Sequence, residues 1–382
     1  MTARPPAPGP PAAAVAPGAP IRPLTALRFF AALWVVVYDY WPNLGAGPAP
    51  ALLARGYLGV ELFFVLSGFI LCHVYLPGFA AGRFRYGAFL QARLARIYPL
   101  HLATLAGVGA MGLAALAAGR GIDPNILSLP ALAANLLLVH AWGFAPVAGW
   151  NHPSWSISAE WFAYLAFPAF AWAAVRLAGR PWTAVCGAAS LLVLLYGLFP
   201  ALAGFPLTQA TIAWGALRIV PCFALGCALH LAGRKGAVQG RTAGLGAAFF
   251  GAAVLVAGQV SAPDAVIVLM FGGLILSLAL IRSSADPSVA SHVFVYLGEI
   301  SYSIYMLCIP WQLFFTNAWS RMDSGSKAHM PLIVWICFLI AIIPLSALTH
   351  RWIEQPARAL LRRPLAPPPA LRQAWLSRNA AE

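Results

Sequence analysis

The chain has 382 residues, 61% of them hydrophobic and 9% charged, with a mean hydropathy of +0.78 and a formal charge of +14. A soluble domain carries about 25% charged residues, so this composition cannot coat a water-soluble particle. It excludes a soluble nucleotide-binding enzyme, a secreted disulfide scaffold and a disordered chain, and it is that of an integral membrane protein.

Residues 1–20 are almost wholly Pro, Ala and Gly. Proline interrupts each apolar run there, so no secretory core forms, and the segment reads as a disordered cytoplasmic tail. Apolar stretches then recur at 24–41, 57–77, 94–118, 158–175, 182–200, 211–232, 242–260, 264–281, 293–316 and 332–352. A helical crossing takes about 20 apolar residues to traverse ~30 Å of hydrocarbon. Residues 21–363 therefore read as an all-α polytopic domain of ten spans. An eleventh run, 130–142, is short and carries Asn135 and His140.

Positive charge settles how that run is treated. If it is re-entrant or interfacial, only Arg55, Arg120, Arg321 and Lys327 lie opposite the N-terminus, while Arg28 and Arg218 fall within spans. If it crosses, Arg234, Lys235 and Arg241 change sides and the bias weakens. The positive-inside rule thus favours ten crossings with both termini cytoplasmic. Residues 364–382 then form a short basic cytoplasmic tail. Much of the +14 is a topology signal, membrane lipid is the surrounding partner, and nucleic acid has no place. The six cysteines (Cys72, Cys186, Cys222, Cys227, Cys308, Cys337) are scattered singly without metal or disulfide spacing. They read as small buried hydrophobes, and no metal site is expected.

Ionisable groups within a span cost roughly 2.5–3.5 kcal/mol each at the helix centre and are functional candidates. In the first span Arg28 and Asp39 are eleven residues apart, which puts them on one helix face about 16 Å apart along the axis. Arg28 either snorkels to the inner headgroups or lines a site. Asp39 is either solvated beside Tyr40 and Trp41 or carries chemistry, because a carboxylate near a helix C-terminus opposes the dipole. The second span holds Glu61 near its outer end and Ser67-Gly68 at its middle, read as a helix-packing pair. Arg93 and Arg96, three apart on one face, either mark the inner side or form a fork for a phosphate. His152, Ser156, Ser158 and Glu160 lie within nine positions at the level of Asp39 and Glu61, a grouping suited to proton transfer. Ser156 or Ser158 also suits a helix cap. Further on, Tyr302 and Tyr305 share a face, and His350, Arg351 and Glu354 suggest an ion-pair patch.

Six segments in order are similar to the membrane acyltransferase-3 family: LTALRFFAALWVVVYDY, GYLGVELFFVLSGFIL, FLQARLARIYPLHL, SWSISAEWFAYLAFP, LGEISYSIYMLCIPW and HRWIEQPARALLR. The resemblance runs from about residue 21 to 363. It implies a ten-span O-acyltransferase moving an acetyl or other short acyl group to a hydroxyl of a glycan, lipid-linked sugar or secondary metabolite. Acyl-CoA is the co-substrate, with no bound cofactor. Arg28 matches the arginine of the family's R-x10-H motif, Arg93 and Arg96 its donor-binding RxxR, and Glu160 the acidic residue of W-S-x-S-x-E. The implied site is thus Arg28, Asp39 and Glu160 with donor-binding Arg93 and Arg96, supported by Glu61, His152, Ser158 and Tyr302. Two positions depart from the pattern: the motif histidine is Asp39, and a histidine often found after S-Y-S-x-Y-x-L is Cys308. A free Asp titrates near ~3.9 and is a weaker base than imidazole near ~6.5. Three outcomes stay open: Asp39 serves as base, His152 or Glu160 takes over, or the chain is a silenced relative that binds or transports an acyl or lipid-linked compound.

Overall fold

A computed structural model describes residues 20–235, 241–281, 289–322 and 329–361. The two expected tails fall outside these residues, save for Pro20. Among the described residues the regular structure is entirely helical. Helix α1, Arg22–Leu44, opens on Pro23, whose missing N–H costs nothing in a first turn, and stops at Gly45 with φ +67°. A four-residue helix, α2 (Ala51–Ala54), leads through a tight turn into α3, Gly59–Ala80. Helix α4, Tyr86–Ala117, follows. The short run after it gives α5, Leu129–Leu136, where Ser128 Oγ accepts the Ala131 N–H at 3.4 Å. With eight residues, α5 is too short to cross a bilayer.

The expected span at 158–175 is two helices, α6 (Trp155–Leu165) and α7 (Phe167–Arg176). Pro168 has no N–H for the Tyr164 carbonyl, so the helix restarts there. Then come α8 (Pro181–Ala203), α9 (Gly215–Lys235), α10 (Arg241–Gln259) and α11 (Asp264–Leu280). Helices α12 (Val289–Glu299) and α13 (Ser301–Met322) meet at a 56° bend. Ser301 Oγ donates to the Gly298 carbonyl at 2.7 Å, competing with the helical ladder at that point. Helix α14 (Leu332–Thr349) continues through a wide turn into α15, Gln355–Leu361.

Seven helical segments among the described residues are long and apolar enough to cross a membrane, and the bent α12–α13 pair makes an eighth. Helix α11 is apolar but spans 17 residues. The chain is therefore a multi-pass membrane protein with apolar side chains such as Leu113, Leu202 and Ile333 facing outward. Helix α9 is the central element, with 78% of its apolar stretch buried against 17% for α8. Its crossing with α3 is unusually close. A Cβ on Gly68 would stand 2.1 Å from the Phe223 carbonyl oxygen, and one on Gly226 would stand 2.0 Å from that of Val65. Small residues let backbones approach in lipid, where dispersion contacts supply the association energy. Gly298 does the same between α12 and α1, facing the Thr25 carbonyl.

Three apolar clusters result among the described residues, the smallest around Phe199, Leu207 and Ala210 at the end of α8. One gathers Leu24, Val35, Phe64, Leu100, Phe167 and Phe223 among others. The second joins Phe29, Val36, Tyr40, Cys308 and Phe338 between α1, α13 and α14. Tyr40 stacks on Phe338 with centroids 4.1 Å apart, and its hydroxyl donates to the Cys308 carbonyl at 2.7 Å. Four cysteines are buried as expected, but Cys186 and Cys337 lie exposed on the outward faces of α8 and α14.

Candidate active site

Five helices turn one stripe each towards a common cavity of about 310 Å³. From α1 come Leu24, Thr25 and Arg28, with Ile21 just before it, from α3 Val60, Phe63, Phe64, Ser67 and Ile70, and from α4 Arg93, Arg96 and Ile97. Helix α6 adds Ser156, Ile157, Glu160 and Tyr164, and the start of α13 adds Ser301, Tyr302 and Tyr305. The spacings of three and four residues are those of a single helix face. The walls are mostly apolar, while three arginines and one glutamate project into the space. Charges in so confined an apolar setting act more strongly than in water.

Several of the polar groups are held. Glu160 accepts a hydrogen bond from Ser67 Oγ. Arg28 lies within electrostatic reach of Arg96, Glu160 and Glu354. Arg93 donates to the Tyr75 hydroxyl at 3.2 Å and sits over that ring at 5.4 Å, while its buried Nε has no partner. Tyr302 donates to the Ile97 carbonyl at 2.6 Å and ties α13 to α4. Arg28, Ser67, Arg93, Arg96 and Glu160 are all half-buried, reachable from the cavity rather than sealed. The arrangement is a cationic pocket with one carboxylate and one hydroxyl in contact. It suits an anionic substrate and a proton transfer.

Of the residues singled out from the sequence, Arg28, Ser67, Arg93, Arg96, Ser156, Glu160, Tyr302 and Tyr305 line the cavity. Asp39, Glu61, His152 and Ser158 do not, so the expected outer-level cluster is divided. Asp39 sits on α1 well beyond Arg28, where its carboxylate accepts the Cys308 thiol at 3.2 Å. Glu61 is fully buried and paired with Arg218 of α9, whose Nη2 lies 3.0 Å from Glu61 Oε2. Arg218 also donates to the Ala210 carbonyl at 2.9 Å and lies over the Trp155 ring at 4.5 Å. Ser158 is buried, donating to the Leu138 carbonyl at 2.8 Å and accepting the Ala141 N–H at 3.0 Å. It fixes the chain after α5 rather than capping α6. His152 is exposed and does not line the cavity. Near the C-terminal end, Glu354 pairs with His350 at 2.7 Å and with Arg358 at 3.5 Å, while Arg351 is exposed.

Two contributors escaped the sequence reading. Ser67 was read with Gly68 as packing, yet only Gly68 meets α9, and Ser67, 100° around the helix, faces the cavity. Arg218 lay alone inside an apolar run, as did Glu61, and two isolated opposite charges at one depth are themselves a signal for a pair. Among the described residues no group of three or more His, Cys, Asp or Glu side chains could hold a metal ion.

A family model described as an acyltransferase domain matches residues 22–351. The chain is 31% identical over 389 aligned positions to "Acyltransferase MdmB" of Streptomyces mycarofaciens, covering 91% of this chain and 94% of that one. It is also 37% identical over 127 positions to "Protein 2 in picA locus" of Rhizobium radiobacter, covering 31% of this chain and 63% of that one. No solved structure matches it. The family match takes in every helix that lines the cavity, from Arg28 through Tyr302. This multi-pass helical protein therefore belongs to the acyltransferase-3 family and is a membrane acyltransferase.

Proposed function

We propose that the chain is a ten-span inner-membrane O-acyltransferase with both termini cytoplasmic, moving an acetyl or other short acyl group from acyl-CoA to a hydroxyl acceptor. The acceptor class is a glycan, a lipid-linked saccharide or a secondary metabolite. The observation that carries the reading is the convergence of Arg28, Arg93 and Arg96 with Glu160 in one apolar-walled cavity. Arg93 and Arg96 grip donor phosphates, for which guanidinium geometry is well suited. Arg28 faces the thioester and stabilises the oxyanion formed when it is attacked. Glu160, rather than Asp39, is the base in this reading, since it reaches the cavity while the Asp39 carboxylate is engaged by Cys308. A second reading, a silenced relative that binds or transports an acyl or lipid-linked compound, draws on the same isolation of Asp39.

Purified protein titrated with acetyl-CoA, with CoA thiol release followed in parallel, separates the two. The expected result is that Arg93→Ala and Arg96→Ala each weaken binding about 10-fold or more, the value of a lost charge-assisted hydrogen bond. Glu160→Gln should bind but lose turnover, while Asp39→Asn keeps it. Binding that ignores both arginine variants sinks the donor assignment. Turnover that appears only in Asp39→His establishes the silenced relative instead.

A further inference from the structure

Ser67 faces the cavity with its hydroxyl donating to the Glu160 carboxylate, whereas the hydroxyls of Ser156 and Ser301 donate to backbone carbonyls. A hydroxyl hydrogen-bonded to a base is the recurring starting geometry of covalent acyl transfer. The backbone beneath Ser67 is fixed independently. Gly68 lies against the Phe223 carbonyl, Gly226 lies against that of Val65, and Cys227 Sγ reaches the Gly68 carbonyl at 3.6 Å. Residues 65–68 are therefore packed tightly on α9, and Ser67, about 100° around the helix from Gly68, is held towards Glu160. Both Ser67 and Glu160 line the cavity that also holds Arg28 and Arg96.

We infer that Ser67 is an acyl-accepting nucleophile and that the reaction proceeds in two half-reactions through an ester on its Oγ. The inference rests on the acyl-CoA reading above and adds the order of events within it. In the first half, Ser67 Oγ attacks the thioester carbonyl, a C–O bond forms and the C–S bond breaks. Glu160 takes the hydroxyl proton and passes it to the departing CoA sulfur. In the second half, the acceptor hydroxyl attacks the acyl-Ser67 carbonyl, its proton goes to Glu160, and Glu160 returns it to Ser67 Oγ as that oxygen leaves. No oxidant, reductant or metal is required. Arg28 faces the negative charge that develops on the carbonyl oxygen in each half. The donor need not remain bound while the acceptor arrives, so one cavity of about 310 Å³ can serve two substrates in turn.

The test uses the full chain in detergent or nanodiscs with radiolabelled acetyl-CoA and no acceptor, quenched in acid and mapped by peptide mass spectrometry. CoA release and equilibrium binding of a non-hydrolysable acetyl-CoA analogue are measured alongside. The expected result is a label on the Ser67 peptide, up to one acetyl per chain, cleaved by alkaline hydroxylamine and absent in Ser67→Ala. Ser67→Cys should trap a thioester cleaved by neutral hydroxylamine. Glu160→Gln should slow labelling about 100-fold or more, the range of general-base catalysis, with analogue binding unchanged. The inference is overturned if neither the natural chain nor Ser67→Cys takes label, if the label lies elsewhere, or if Ser67→Ala releases CoA at the natural rate. In each of those cases intact analogue binding and turnover leave the acyltransferase reading standing. A chain that neither binds the analogue nor releases CoA removes both.

Discussion

Breaking the Glu61–Arg218 pair tests the energetic logic of the scaffold most directly. Glu61 is 0% exposed and Arg218 2%, with Arg218 also bonded to the Ala210 carbonyl and stacked on Trp155. The three residues belong to α3, α9 and α6, so the pair joins the helix of Ser67 to the helix of Glu160 through the central one. Removing one member leaves the other charged and dry, a loss of about 3–5 kcal/mol. Replacing both with apolar residues of similar volume removes the uncompensated charge, and such swaps are neutral or better elsewhere. Here the Ala210 carbonyl also loses its donor, which costs about 1–3 kcal/mol. Glu61→Ala and Arg218→Ala should thus each lose about 3–5 kcal/mol. Glu61→Leu/Arg218→Met should lie within about 1–3 kcal/mol of the natural chain. Denaturant unfolding of the micellar protein, followed by circular dichroism, gives the double-mutant cycle. Additive single losses, or a single loss below about 1 kcal/mol, would show that water reaches the pair and that the reasoning fails.

Two further substitutions probe parts of the frame. Gly68→Ala places a methyl 2.1 Å from the Phe223 carbonyl oxygen. It should cost about 1–3 kcal/mol by overpacking and depress turnover by displacing Ser67 from Glu160. Gly78→Ala, on the same helix with nothing within 4 Å, should do neither; equal effects in thermal unfolding and CoA release would discount the crossing. Ser158→Ala strands the Leu138 carbonyl and the Ala141 N–H and should cost about 1–3 kcal/mol with donor binding preserved. A selective loss of acetyl-CoA affinity in an undiminished fold would instead move Ser158 into the site.

Depth in the membrane was legible from the sequence, and azimuth was not. Hydropathy located the long apolar segments, and the cost of charge in lipid picked out Arg28, Asp39, Glu61 and Glu160. Four of the five cavity residues anticipated from charge or motif, Arg28, Arg93, Arg96 and Glu160, carry charges that need a polar neighbour. Tyr302, expected as a supporting residue, lines the cavity and also ties α13 to α4. The expectation that Asp39, Glu61, His152, Ser158 and Glu160 share a site rested on their common level. Residues at one depth on different helices face different neighbours, and those neighbours are set by helix rotation. Rotation depends on pairwise packing such as Gly68 on Phe223, which one sequence does not disclose. The break of α6 from α7 was signalled by Pro168, but the bend at Ile300 arises from a Ser301 contact that hydropathy cannot register.

The two larger apolar clusters have a mechanical meaning. Helix α1 belongs to both: Leu24, Ala31 and Val35 to the first, and Phe29, Ala32 and Val36 to the second. Helix α13 is shared in the same way, with Tyr305 and Met306 in the first cluster and Ile304 and Cys308 in the second. The cavity is walled by the first cluster, including the Tyr305 face of α13. Close-packed interiors transmit strain. A volume change in the second cluster, at Phe338 for instance, would therefore turn α1 and α13 together and be felt at Arg28 and Tyr305 without touching the cavity itself.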